Sequence, residues 1–255
     1  MTEAPSQPPP SFLASICIAD DATFWPWLKW PDFARRAEAE RTLVVIPITG
    51  LADAALGHPL DAEEVVLTTV LKASSEIRPP GLPLLVIPPI RFVLGPGPHC
   101  AFPVSPPVAH ALIREVAESV MAAGFRRIVL FNASPWNEDL VDAAARDLRV
   151  ALGLQMFCVN LSALGLDFHP ARSPSRQILQ TLLTGLYERE PRVPETDDPK
   201  GRFSREQLPP VPTPWEGLEA SRAHAPAIVR RCAERLSSLL QEIHAHPELP
   251  AHPSK

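Results

Sequence analysis

Apolar positions along the chain fall into two periods. Four short runs rich in apolar and β-branched residues, Thr42 to Ile46, Leu84 to Ile87, Ile128 to Phe131 and Gln155 to Val159, read as strands buried on both faces. Helical patterns fill the stretches Asp61 to Ile77, Pro106 to Ala123, Glu138 to Leu152 and Pro174 to Tyr187. This alternation predicts right-handed βαβ crossovers and an α/β fold: a mainly parallel sheet with helices on both faces. In the second helix, Leu112, Val116, Val120 and Ala123 recur at helical intervals and predict the core-facing stripe. Ser105-Pro106 marks that helix's start and Gly124 its stop. A further stripe, Ile228, Val229, Cys232, Leu236, Leu239, Leu240 and Ile243, predicts an amphipathic helix over 215–246. Its apolar face must be covered, either by its own domain or by a neighbouring subunit.

Composition modifies this picture mainly at the ends. The 32 prolines concentrate at loop positions and in the terminal segments. The chain therefore divides into a disordered arm (1–11), an α/β domain (12–189), a Pro-rich linker (190–214), the terminal helix (215–246) and a tail (247–255). With 255 residues and 45% apolar content, the domain buries a sizeable core without staples. The four cysteines are scattered and form no Cys-x-x-Cys pair, which fits a reduced cytoplasm. A net charge of −5 with mixed signs gives no basic stripe for nucleic acid. No apolar run approaches membrane length.

In an open α/β sheet, chemistry belongs at the carboxyl ends of the strands. The polar residues there have local readings of their own. Asp61 with Glu64 has capping-box spacing, Glu63 suits the first helical turn, and Ser134 and Asn137 are placed to cap the next helix. His58 and His99 lie in proline-flanked loops, and His169, preceded by Asp167, is the candidate acid or base. Ser134 lacks the flanking glycines of a nucleophile elbow, and Gly95-Pro96-Gly97 is too proline-broken to cradle a phosphate.

Four segments at these strand ends carry a resemblance. They are Pro47 to Glu63, His99-Cys100-Ala101-Phe102-Pro103, Asn132-Ala133-Ser134-Pro135-Trp136-Asn137, and Phe168-His169-Pro170-Ala171-Arg172. Their order and spacing, over about Ser15 to Tyr187, resemble the creatininase (creatinine amidohydrolase) family. The resemblance implies a three-layer α/β/α domain. The family's Asn-Gly-His-x-x-Asn becomes Asn-Ala-Ser-Pro-Trp-Asn here, so Ser134 stands at the histidine and Trp136 two residues further on. Aligned without gaps, Pro47 to Glu63 places Ala52, Ala54 and Glu63 at the family's metal-binding glutamate, histidine and aspartate. A compensated one-residue shift instead places Asp53 at the glutamate, Ala55 at the first histidine and His58 at the second. Pro98 replaces a glutamate before His99, and His169 matches a family histidine, with Arg172 near the family's acidic group.

A di-metal amidohydrolase needs several carboxylates and imidazoles converging on two cations to activate water. The resemblance therefore implies a creatininase-family pseudoenzyme whose metal site is lost, without a cofactor, acting by binding or assembly. His99 and Asn137 would line its pocket. The alternative is a metal-dependent hydrolase of a cyclic amide or other C–N bond, using zinc or manganese at a rearranged site drawn from Asp53, His58, Glu63 and His169. The resemblance also implies a homo-oligomer, often a hexamer in this family, or a hetero-oligomer with an active paralogue.

Overall fold

In the computed structural model, the described residues are 18–19, 22–34, 39–95, 100–172, 176–192, 211–213 and 217–247. The arm at 1–11 and His99 lie outside them, as do most of the linker and all but residue 247 of the tail. The elements run α1 (Trp30–Ala34), β1 (Leu43–Thr49), α2 (Ala62–Ile77), β2 (Leu84–Val86), β3 (Ile90–Arg91), β4 (Val93–Leu94) and β5 (Pro103–Val104). They continue with α3 (Pro106–Ala122), β6 (Arg127–Asn132), α4 (Glu138–Leu152), β7 (Gln155–Asn160), α5 (Arg176–Tyr187) and α6 (Gly217–Ala245).

The main sheet is parallel in the order β2-β1-β6-β7, with β3 extending alongside the end of β1. Val44, Ile46 and Ile48 of β1 point to the layer containing α3 and α4, while Leu43 and Val45 point to the layer containing α2, α5 and α6. Both faces are covered, which is why the strand runs carry no polar alternation. Pro47 interrupts the hydrogen-bonding potential of this central strand at a tolerable place. Its neighbours Val45 and Thr49 bond to Ile87 and Phe92, so the missing N–H faces the break between β2 and β3.

Three details of the sequence reading change. The buried stripe of α3 is Ala109, Ile113, Ala117 and Val120, whereas Leu112 is 39% exposed. The two alanines let α3 lie close to the sheet, and this rotates the larger Leu112 outward. Asp61 makes no capping bond: its carboxylate accepts the Tyr187 hydroxyl at 2.5 Å, and Glu64 is held by two 2.5 Å bonds from Arg91. Asn137 also leaves the cap position's side-chain bond unmade. Its amide instead ties α4 to the strand after β3, accepting from the Leu94 N–H at 3.0 Å and donating to the Phe92 carbonyl at 2.8 Å.

The terminal helix docks on its own domain. Ile228, Cys232, Leu236 and Leu240 of α6 join the core formed with α2 and α5. At its far end, buried Arg127 of β6 donates to the carbonyls of His244 (2.8 Å) and His246 (3.1 Å), and Gln155 of β7 donates to that of Pro247 (2.6 Å). A cation at a helix C-terminus satisfies carbonyls that lack helical donors and complements the helix dipole.

Candidate active site

The strand order reverses between β1 and β6, so their carboxyl ends form the topological switch point where such sheets bind ligands. Gly50 follows β1, Ser134 follows β6, and Glu63 comes down from the first turn of α2. Glu63 is 1% exposed, and its Oε2 accepts the Gly50 N–H at 2.7 Å. A Cβ on Gly50 would lie 2.8 Å from both Glu63 Oε2 and Ser134 Oγ, so only glycine permits this approach. Glu63 Oε1, Ser134 Oγ and Thr49 Oγ1 are buried without a hydrogen-bond partner. Burial pushes the Glu63 carboxyl up to about 7. The Gly50 amide and the nearby Ser134 hydroxyl draw it back part of the way, although the hydroxyl meets no strict hydrogen-bond geometry.

Asn132 shapes the loop around Ser134. Its Nδ2 donates to the Ser134 carbonyl and to Asn160 Oδ1, both at 2.9 Å, and its Oδ1 accepts the Ser134 N–H at 3.2 Å. The two asparagines shared with the family pattern are thus scaffold residues.

Beside this polar cradle lies an apolar plug. Ala52 pairs with Cys100 in an antiparallel bridge, and Ala52, Val93 and Cys100 form a small buried cluster on which Trp136 packs. Burial, and then the charge of Glu63, pushes the Cys100 thiol up to about 11, which makes it a poor thiolate. The other neighbour of Trp136 is His169, with ring centroids 5.1 Å apart. His169 Nδ1 accepts the Ala171 N–H at 3.2 Å, while Asp167 binds the His169 backbone N–H at 2.8 Å rather than its ring. Arg172 spans Asp167 (3.3 Å) and Glu138 (2.7 Å) at the rim.

Each of the two alignments of the first segment accounts for one special backbone position. The shifted one matches the family's first glycine with Gly50, where only glycine fits. The gap-free one puts the family's glycine, next after its first histidine, on Ala55, which has φ +56°, a left-handed conformation that suits glycine. Asp53 and His58 are not directed at Glu63. Asp53 accepts the Ala55 N–H at 2.8 Å in its own turn. His58 lies 3.3 Å from Gln180 Nε2 and stacks on Tyr187 at 5.3 Å, both residues of α5. Burial, with help from Arg189, lowers its pKa to about 4 and keeps the ring neutral. Arg176 fixes the same loop through the carbonyls of Ala54 and Ala55.

The structure therefore gathers Ala52, Glu63, Ser134 and Trp136 at the switch point, sets His169 at the edge, and leaves Asp53 and His58 tied to their own turn and to α5. Gly50 and Cys100 also belong to the site. Gly50 is a match of the shifted alignment, whereas Cys100 shows no such signal, because its role depends on a bridge between distant loops.

A model of the creatininase family, described as creatinine amidohydrolase, matches residues 27–198. The chain belongs to the creatininase family. The three-layer fold agrees with solved structures. A putative creatinine amidohydrolase from Bacteroides fragilis NCTC 9343 superposes with a TM-score of 0.64 at 14% identity, covering 91% of this chain and 100% of that one. A mutant creatininase complexed with creatine gives 0.61 at 17% identity, covering 88% and 99%. A creatininase described with Mn gives 0.58 at 18% identity, again covering 88% and 99%. No curated protein matches.

The family resemblance implies a pair of metal ions, and the residues present at its ligand positions do not fit them. Two are alanine methyls, one is a hydroxyl, and the single carboxylate is already bonded to a backbone amide. Among the described residues, no three His, Cys, Asp or Glu side chains come together in a group that would hold a metal ion.

Proposed function

We propose that this creatininase-family protein is a pseudoenzyme that acts as a binding or assembly subunit. The observation that carries this reading is the packing of Trp136 on Ala52, Val93 and Cys100, which puts a methyl at a family ligand position and an indole against it. A metal ion needs lone pairs there, and these groups supply none. Glu63 supports the same reading: its carboxylate is turned into the interior, where burial favours the neutral form, a poor metal ligand. The subunit would work in a homo-oligomer or beside an active paralogue. The free Cys100, Cys158 and Cys232 suit a reducing cytoplasm.

The test is elemental analysis of protein purified without chelator and then incubated with zinc or manganese. The expected result is no stoichiometric metal. Metal retained by the wild type and lost on Glu63→Ala would overturn the proposal in favour of an amidohydrolase with a rearranged site, and would call for a screen of cyclic amides.

A further inference from the structure

Of the two edges of the main sheet, one is closed. The Val86 N–H of β2 donates to the Thr23 carbonyl at 2.9 Å and Phe24 bridges Val86, so residues 23–24 cover that side. β7 forms the other edge, and among the described residues nothing pairs with its outer side. The Gln155 N–H donates to the Arg126 carbonyl at 2.9 Å. Successive residues of a strand turn their backbone groups to opposite neighbours, so Gln155, Phe157 and Val159 face β6 while Met156 and Cys158 face outward. The strand itself, Gln155-Met156-Phe157-Cys158-Val159-Asn160, holds no charge, proline or glycine. Six uncharged residues of this kind on an open edge are a template for a foreign strand.

Arg149, in the last turn of α4, sits on that edge. Its Nε donates to the outward-facing Met156 carbonyl at 3.1 Å, and its Nη2 donates to the same oxygen. The guanidinium carbon lies 5.4 Å from the centre of the Phe157 ring, which also meets His246 at 5.8 Å. Phe157 shares the face of Val159, toward α6, whereas α4 packs on the opposite face. The arginine therefore wraps round the rim of the sheet. An incoming strand needs the Met156 carbonyl for its own N–H and the Phe157 ring for its side chains. Both are held by a cation that it would have to displace or strip of water. Further along the edge, burial and then the charges of Asp142 and Glu138 push the Cys158 thiol up to about 12, so these carboxylates of α4 stand close to the strand. We infer that Arg149 guards the open edge of β7 and keeps strands of other chains from adding to the sheet. This concerns open-ended, non-native association, and is independent of the pseudoenzyme reading and of any native assembly.

Incubation of the full chain with thioflavin T tests it, with circular dichroism recorded before and sedimentation after. The wild type is expected to stay soluble and dark. So is Arg114→Leu, which removes a like charge from α3, away from the edge. Arg149→Leu is expected to begin with the wild-type spectrum, then to bind the dye, sediment, and seed fresh Arg149→Leu protein. Arg149→Lys, which keeps a cation on the edge, is expected to stay soluble, and Arg149→Gln, which keeps a donor for Met156 without the charge, is expected to associate. Arg149→Leu that stays soluble and dark would overturn the inference, as would equal association of Arg114→Leu, which would make net charge the cause. If Arg149→Leu lacks the native spectrum from the start, the Lys and Gln variants decide the matter, and equal behaviour of those two overturns it.

Discussion

At the scale of single residues, the site turns on one carboxyl group. Glu63 is bound to the Gly50 amide and surrounded by oxygens without partners, and its pKa rises from about 4.5 to about 7. The folded protein therefore holds this proton more tightly than the unfolded chain. The stability it contributes is fully present below about pH 4.5 and is lost as pH rises through about 7. The loss is on the order of 3 kcal/mol, taking about 1.4 kcal/mol per pKa unit. Urea unfolding of wild type and Glu63→Gln at pH 5 and pH 8 should show the wild type losing ground to the variant at the higher pH. Equal differences at the two values would contradict the raised pKa. His58, lowered to about 4, has the opposite dependence, since its contribution is present above about 6.5 and lost as pH falls. The single variant is needed to separate the two. Gly50→Ala offers a steric check. The new methyl meets two oxygens at 2.8 Å, and the expected cost is about 1–3 kcal/mol, relieved in part when Ser134→Gly removes one of them.

At the scale of elements, the sequence located the four principal strands and four helices to within a residue or two wherever those residues are described, except that β1 runs three residues past Ile46 to Thr49, because unbroken apolar runs and helical periodicity are strong signals. The face of α3 was less legible. Leu112 and Ile113 are equally apolar neighbours, and only the small Ala109 and Ala117, one turn to either side of Ile113, show which side lies against the sheet. Ile113→Ala is expected to destabilise the protein by about 2–5 kcal/mol. Leu112→Lys should stay within about 0.5 kcal/mol. Thermal or chemical unfolding of the two variants decides it, and comparable losses would mean that the helix is rotated from the orientation seen here. The capping reading of Asp61 and Glu64 failed for a different reason. Their partners, Tyr187 and Arg91, come from distant parts of the chain, and local spacing carries no record of them. The short β3, β4 and β5, at two residues each, are equally invisible to periodicity.

At the scale of the whole molecule, the family's frame is kept while residues at several of its site positions differ. Asn132 and Asn137 remain because they hold loops that the fold requires, and Ala55 keeps a turn shaped for glycine. Around Ala52, one of the ligand positions, methyl and indole groups instead pack on one another. The motif order made the fold readable from the sequence. It left two alignments of the first segment open. The fate of Trp136 needed three dimensions, since Ala52, Val93 and Cys100 are brought together only by the sheet and its loops.

The clamp between Arg127 and the end of α6 also has a temporal side. During synthesis β6 leaves the ribosome more than a hundred residues before the carbonyls of His244 and His246 exist, so the arginine of a nearly finished sheet waits for the last turn of the chain. Until that turn arrives, Arg127 sits beside an exposed apolar face that α6 will cover. Uncovered apolar surface of this kind is the sort that makes partly folded chains prone to aggregate.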